Sequence, residues 1–264
     1  MIEKIIILKD KTASERPFKK TGDGFSDSLK RSELETKYPE ARDETRKALG
    51  KYVLPDSIPF GEKITLLCGG NGVGKTTFIN SFVGHRDCFK IIGDGTKFDC
   101  YCYRNSRDNF LLHDNARDGD DFDMLSFAMT MNAKAYGMSE GEASVFSSLS
   151  VVMDGLLKEI NKPSLIFLDE VDSGLSVDKC DAFCDSVKKS LSENAKVQVV
   201  IAFNSYEFYD RMRDFVGPEG KWLKVVSMYD GSEVSFASYG EYAEWIRANQ
   251  LKFCSNRGKS RDDY

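Results

Sequence analysis

The chain has 264 residues, 41% of them hydrophobic and 30% charged, enough to bury one α/β core on an ordinary globular profile, so a single domain over residues 1–264 is the expectation. A formal net charge of −5 removes any global attraction to nucleic acid or an anionic membrane, so a polyanion would need local contacts. Seven cysteines, at 68, 88, 100, 102, 180, 184 and 254, show no paired zinc-type spacing and fit reduced thiols of a cytoplasmic protein better than a disulfide framework.

Ile5 to Leu8 is rich in β-branched isoleucine and reads as a first strand, too short an apolar run for a signal-peptide core or a membrane span. Residues 9–51 are polar and charged with little apolar periodicity. They read as an exposed insertion in which residues 32–49 favour helix, interrupted at Pro39. From residue 64 the pattern sharpens. Ile64 to Cys68 is an apolar strand, a glycine-rich turn follows, and residues 75–82 read as a helix. Residues 98–103 form a further strand.

Residues 122–131 and 142–160 look helical, within a helical lobe over residues 85–160. Residues 165–168 make a buried strand, 178–191 an amphipathic helix and 197–203 another buried strand. Residues 222–228 and 233–236 read as two strands meeting at an Asp230-Gly231 turn, before a helix over 239–248. The β and α elements mostly alternate, which gives an α/β fold with a mostly parallel sheet flanked by helices.

Gly69-Gly70-Asn71-Gly72-Val73-Gly74-Lys75-Thr76 matches GxxxxGK[ST] between a strand and a helix, the context that a phosphate-binding P-loop requires. Glycines let backbone N–H groups turn inward around phosphates, and the following helix, which opens with Lys75, Thr76 and Thr77, directs its positive dipole end to the same charge. Lys75 is expected to reach the β and γ phosphates of a nucleotide, and Thr76 to coordinate Mg2+. Thr77 joins the loop as a further nucleotide contact. Asp169 and Glu170 end the strand over 165–168, where the first suits the metal and the second suits holding or deprotonating an attacking water. Acids also end buried strands with no such role.

Upstream, Ser139-Glu140-Gly141-Glu142 forms a capping box for the helix that follows, and the same Ser and Gly at a helix N-terminus make an anion site. Val171-Asp172-Ser173-Gly174-Leu175-Ser176 supplies a short polar turn before the next helix.

This succession resembles the ATP-binding-cassette (ABC) ATPases, whose P-loop, signature, Walker B strand, D-loop and switch follow in this order, here over roughly residues 60–210. Met138-Ser139-Glu140-Gly141-Glu142 keeps the Ser and Gly of the family signature with changed flanks, a form more like the stand-alone soluble members related to SMC, RecF and overcoming-lysogenization-defect ATPases. The run from Tyr229 to Val234, with residues 239–245 after it, also resembles short bacterial proteins of that group. The resemblance implies ATP and Mg2+ as ligands, ATP hydrolysis, expected to be slow because Glu170 is kept while Asn204 replaces the switch histidine, and a homodimer in which Ser139 and Gly141 of one copy meet the nucleotide on the P-loop of the other. It also implies a protein or nucleic-acid partner and no membrane insertion.

Two departures stand out. Asn204 occupies the place of the family's switch histidine; it can hydrogen-bond but cannot carry a positive charge. The Q-loop glutamine has no counterpart, because Gln198 and Gln250, the chain's two glutamines, lie late in the sequence; Arg104, Asn105 and Asn109 are the candidate substitutes. The stretch between the P-loop helix and Met138 is too short for a long coiled coil.

Alternatives are a transporter's ATP-binding subunit, disfavoured by those departures, and an ATP-sensing regulatory or defence module. A P-loop GTPase or kinase is a further alternative, and the GTPase is disfavoured because Asn161-Lys162-Pro163-Ser164 lacks the aspartate of a guanine reader. Phe18, Phe25 and Tyr52 are candidates to stack on adenine or simply to pack. Lys252, Arg257, Lys259 and Arg261 could touch phosphates or form a solvated terminus.

Overall fold

The computed structural model describes residues 1–8, 54–84, 88–104, 112–113, 162–173 and 175–259. Nine strands are described: β1 (Ile2–Ile7), β2 (Ser57–Pro59), β3 (Ile64–Cys68), β4 (Phe89–Gly93), β5 (Asp99–Arg104), β6 (Leu112–His113), β7 (Ser164–Asp169), β8 (Val197–Ala202) and β9 (Leu223–Ser227). With them are four α-helices: α1 (Lys75–Gly84), α2 (Val177–Glu193), α3 (Tyr206–Met212) and α4 (Tyr239–Lys259). The expected helices over 32–49, 122–131 and 142–160 lie outside the described residues, as does the whole of the 9–51 insertion.

β3, β7 and β8 are buried at every position, the mark of central strands covered on both faces. They belong to a six-stranded sheet ordered β6-β5-β7-β8-β3-β9, in which all neighbours pair parallel except the short edge strand β6. Side-chain alternation along the strands sorts the interior into two layers. Leu67, Leu165, Phe167, Val200 and Ala202 face α1, where Phe78, Ile79 and Phe82 pack against them. Ile64, Leu66, Ile166, Leu168, Val199 and Ile201 face the opposite layer, filled by α2 and α3. Complete burial of a side chain such as Phe78, Phe167 or Phe183 stabilises the fold by about 1.5–3 kcal/mol.

A second, antiparallel sheet, ordered β2-β1-β4, lies on the α1 side and closes that layer with Ile2, Ile5, Ile7 and Ile58. Gln198 of β8 ties the two sheets. Its amide donates to the carbonyls of Ile2 and Gly61 at 2.8 and 3.0 Å, and its Oε1 accepts the N–H of Ile2 at 2.7 Å. On the other side, α2 presents Cys180, Phe183, Cys184, Val187 and Leu191 at helical spacing to the sheet.

Two expectations change in the C-terminal part. Residues 233–236 do not form a strand: pairing is limited to a single antiparallel bridge, Val226 to Glu233. The turn explains why, since Ser227 N–H bonds to the Ser232 carbonyl and Gly231 N–H to that of Ser227, so the chain doubles back tightly and then departs. The final helix runs well past residue 248, to Lys259. Tyr242 of α4 sits in the α2/α3 layer and Phe253 in the α1 layer, so this helix crosses from one side of the sheet to the other.

Candidate functional site

Parallel strands deliver their C-terminal ends to one edge of the sheet, and the loops that follow β3, β7 and β8 meet there. β8 lies between the other two, so the segment containing Asn204 is set between the P-loop and the acids that end β7. Sequence separation hides this convergence. Parallel pairing creates it.

The P-loop leaves β3 and turns into α1, with Gly72 at φ 78° and Gly74 at φ 106°, values that L side chains rarely adopt. Val73 is fully buried under the turn, while Asn71 and Gly72 are exposed at its crest. Thr76 and Thr77 are half-buried in the first turn of α1. Lys75 is buried, and its Nζ folds back to donate to the carbonyls of Gly69 at 2.5 Å and Gly70 at 3.4 Å. Desolvation by burial lowers the Lys75 pKa, opposed by the ionisable groups around it, the Cys68 thiol and the carboxyl groups of Asp172, Asp169 and Glu170. Beneath it the Cys68 thiol is pushed up to about 12 by burial.

Asp169 is completely buried at the end of β7 and takes a hydrogen bond from Thr76 Oγ1 to its Oδ1 at 3.1 Å. A hydroxyl and a carboxylate oxygen side by side at the start of a helix form a hard oxygen donor pair, which fits Mg2+ held together with water and phosphate oxygens. Among the described residues there is no cluster of three or more His, Cys, Asp or Glu side chains able to hold a metal by themselves. Glu170, half-buried, adopts φ 58°, the left-handed region that costs a non-glycine residue of order 1 kcal/mol or more. Its N–H bonds to the Ala202 carbonyl and its carbonyl accepts Ser173 N–H, so the backbone on both sides holds that conformation.

Asn204 is pinned through both of its backbone groups while its side chain is exposed. Asp172 Oδ2 accepts the N–H groups of Asn204 and Ser205 at 2.7 and 2.6 Å, and the hydroxyl of Tyr242 donates to the Asn204 carbonyl at 2.9 Å. Asp172 is only 8% exposed, and burial raises its pKa despite those two hydrogen bonds and the Lys75 charge. Burial likewise raises the Tyr242 pKa.

The structure thus brings Lys75, Thr76, Asp169, Glu170 and the Asn204 loop to one edge. Ser139 and Gly141 lie outside the described residues, as do Asn105 and Asn109 and the aromatics Phe18, Phe25 and Tyr52. Arg104 ends β5, paired with Asp169, so its backbone lies beside the acid strand. Sequence reasoning missed Asp172, Tyr229, Tyr242 and Gln250. The last three reach the loops from far along the chain, and no spacing rule announces them.

No protein-family model matches the chain, and no curated protein does. Among solved structures it is similar to cbiO1 from Clostridium perfringens, part of the ABC transporter complex cbiONQ, at 16% identity and a TM-score of 0.43, over 77% of this chain and 89% of that one. It is similar to a nucleotide-free ATP-binding cassette from an ABC transporter at 14% identity and a TM-score of 0.42, over 74% and 89% of the two chains. The SMC head domain from Thermotoga maritima matches at 12% identity and a TM-score of 0.33, over 69% and 93%. At these scores the fold class rests on the chain's own geometry, a parallel sheet whose β3 leads through a glycine loop into α1 while β7 brings an acid to Thr76. The chain has a P-loop NTPase fold. Among the described residues no helix is long and apolar enough to cross a membrane.

Proposed function

We propose that this chain is an ABC-type ATPase that binds ATP with Mg2+ on the loop from Gly69 to Thr77, hydrolyses it slowly, and closes two copies over two nucleotides. The observation that carries the reading is the Thr76–Asp169 hydrogen bond, which joins the P-loop helix to the acid strand. A glycine-rich turn that matched the motif by accident would have no reason to meet a buried aspartate there.

On nucleotide binding, Lys75 exchanges the Gly69 and Gly70 carbonyls for phosphate oxygens, and the polyphosphate charge favours its protonated form. The amides of Gly72 to Thr76 and the N-terminal dipole of α1 face the same charge. Thr76 would hold Mg2+ directly and Asp169 through water, and the metal would supply neutralisation of the charge on the phosphates. Glu170, one residue beyond, orients the attacking water or takes its proton. Asn204 offers a hydrogen bond to the γ-phosphate or that water but no positive charge. Loss of one such transition-state contact costs about 10²- to 10³-fold in rate, hence the slow turnover.

Ser139 and Gly141 of a second copy complete each site, and closure and release of the pair act on a protein or nucleic-acid partner. The test is the solution mass of Glu170→Gln with and without Mg-ATP, since loss of the water-holding carboxylate traps a closed state. A dimer formed with ATP and abolished by Ser139→Arg is the expected result. A mass unchanged by bound ATP would contradict the sandwich.

A further inference from the structure

Two side chains from the C-terminal part meet the P-loop. The Tyr229 hydroxyl, just beyond β9, accepts the N–H of Gly70 at 2.9 Å and donates its own proton to Gln250 Oε1 at 2.8 Å. Gln250, on α4, donates from Nε2 to the Asn71 carbonyl at 3.2 Å. A peptide N–H only donates and a carbonyl only accepts, so these ends fix the polarity of the phenol and of the amide between them. The result is a closed ring of hydrogen bonds around the Gly70–Asn71 peptide.

Its parts are held in place independently. The Tyr229 ring stands edge-on to Trp245 and Phe253 of α4, with centroids at 5.4 and 6.0 Å. Gly70 permits the approach: a Cβ there would lie 2.5 Å from Gln250 Oε1 and 3.0 Å from the Tyr229 oxygen. Two turns earlier on the same helix, Tyr242 holds the Asn204 carbonyl. α4 therefore grips both loops at the edge where the site lies.

The geometry points to Tyr229 and Gln250 as positioning residues of the phosphate-binding loop, which hold Gly70 and Asn71 so that the loop is already shaped for a nucleotide's polyphosphate before one arrives. The inference rests on the nucleotide reading above. It assigns neither residue a contact with the reacting atoms. A loop ordered in advance loses less entropy on binding, so the effect falls on affinity and not on the chemical step.

Tyr229→Phe is the discriminating variant, because the ring and its edge contacts remain and only the hydroxyl is lost. In the nucleotide-free protein, hydrogen exchange of the Gly70 amide should speed up by about tenfold, as expected for loss of roughly two neutral hydrogen bonds shared between local opening and the rest of the fold. Titration with a fluorescent ATP analogue and Mg2+ should show affinity weakened by roughly 3- to 10-fold, with KM rising in step and kcat within about twofold of wild type. Gln250→Ala should match it, and the double variant should be no worse than the weaker-binding single, since all three break the same ring. Unchanged exchange and affinity in Tyr229→Phe, or losses that simply multiply in the double variant, would overturn the positioning role. Wild-type protein that takes no ATP analogue would instead overturn the nucleotide reading, while the exchange measurement still judges the ring.

Discussion

Asp172 should be the most informative single position outside the P-loop. Its Oδ2 holds two consecutive N–H groups, at 2.7 and 2.6 Å, and its Oδ1 is buried with no hydrogen-bond partner among the described residues. Hydrogen bonds to a charged acceptor contribute about 1.5–3 kcal/mol each, and the cost of burying the carboxylate opposes them. Asp172→Ala leaves both N–H groups without their acceptor and should cost about 2–4 kcal/mol, lowering Tm by roughly 5–15 °C for a chain of this size. Asp172→Asn keeps a carbonyl oxygen for the same groups and removes the buried charge, so it should lie within about 1 kcal/mol of wild type. Urea unfolding at pH 7 measures both.

The acid side gives a second check with a definite sign. Burial raises the folded-state pKa of Asp172 above its ordinary value of 3.8, so the folded protein binds the proton more tightly than the unfolded chain does. The stability this adds is fully present below 3.8 and is lost as pH rises through the folded value. Wild type should therefore gain on Asp172→Asn as pH falls through that window. An alanine variant as stable as wild type, or an asparagine variant as damaged as the alanine one, would refute the reasoning.

Two further outcomes follow from single contacts. Gln198→Leu strands three backbone groups at the junction of the two sheets and should cost about 3 kcal/mol or more in urea unfolding, while ATP affinity stays at the wild-type level. Thr76→Ala removes the hydroxyl beside Asp169. In calorimetric titrations it should abolish most of the gain in ATP affinity that Mg2+ confers and leave binding in EDTA nearly unchanged.

The central strands were legible because burial on both faces forces uninterrupted apolar runs, as in Leu165 to Leu168 and Val197 to Phe203. The P-loop was legible because its backbone geometry requires glycines at fixed offsets from Lys75. β4 was not, since only Phe89 of its five residues is buried and the rest carry no alternation. The 233–236 segment has strand composition, but a tight turn at Gly231 denies it a partner beyond one bridge. Gln250 lies too late in the chain to read as a Q-loop glutamine; it reaches the P-loop across 179 positions, a contact that only the path of α4 creates. In sequence Asp172 reads as part of a polar turn, and its grip on Asn204 and Ser205 depends on β7 and β8 being neighbours. Local rules see spacing along the chain. They do not see which loops parallel pairing brings together.

The most direct measurement is calorimetric titration of Mg-ATP into wild type and Lys75→Ala, with steady-state turnover recorded for wild type and Glu170→Gln. Saturable binding of one nucleotide per chain that Lys75→Ala abolishes, together with slow wild-type turnover that Glu170→Gln removes while keeping the bound nucleotide, is the expected result. Absence of saturable binding in the folded wild-type protein, or equal binding by Lys75→Ala, would contradict an ATPase site at this edge of the sheet.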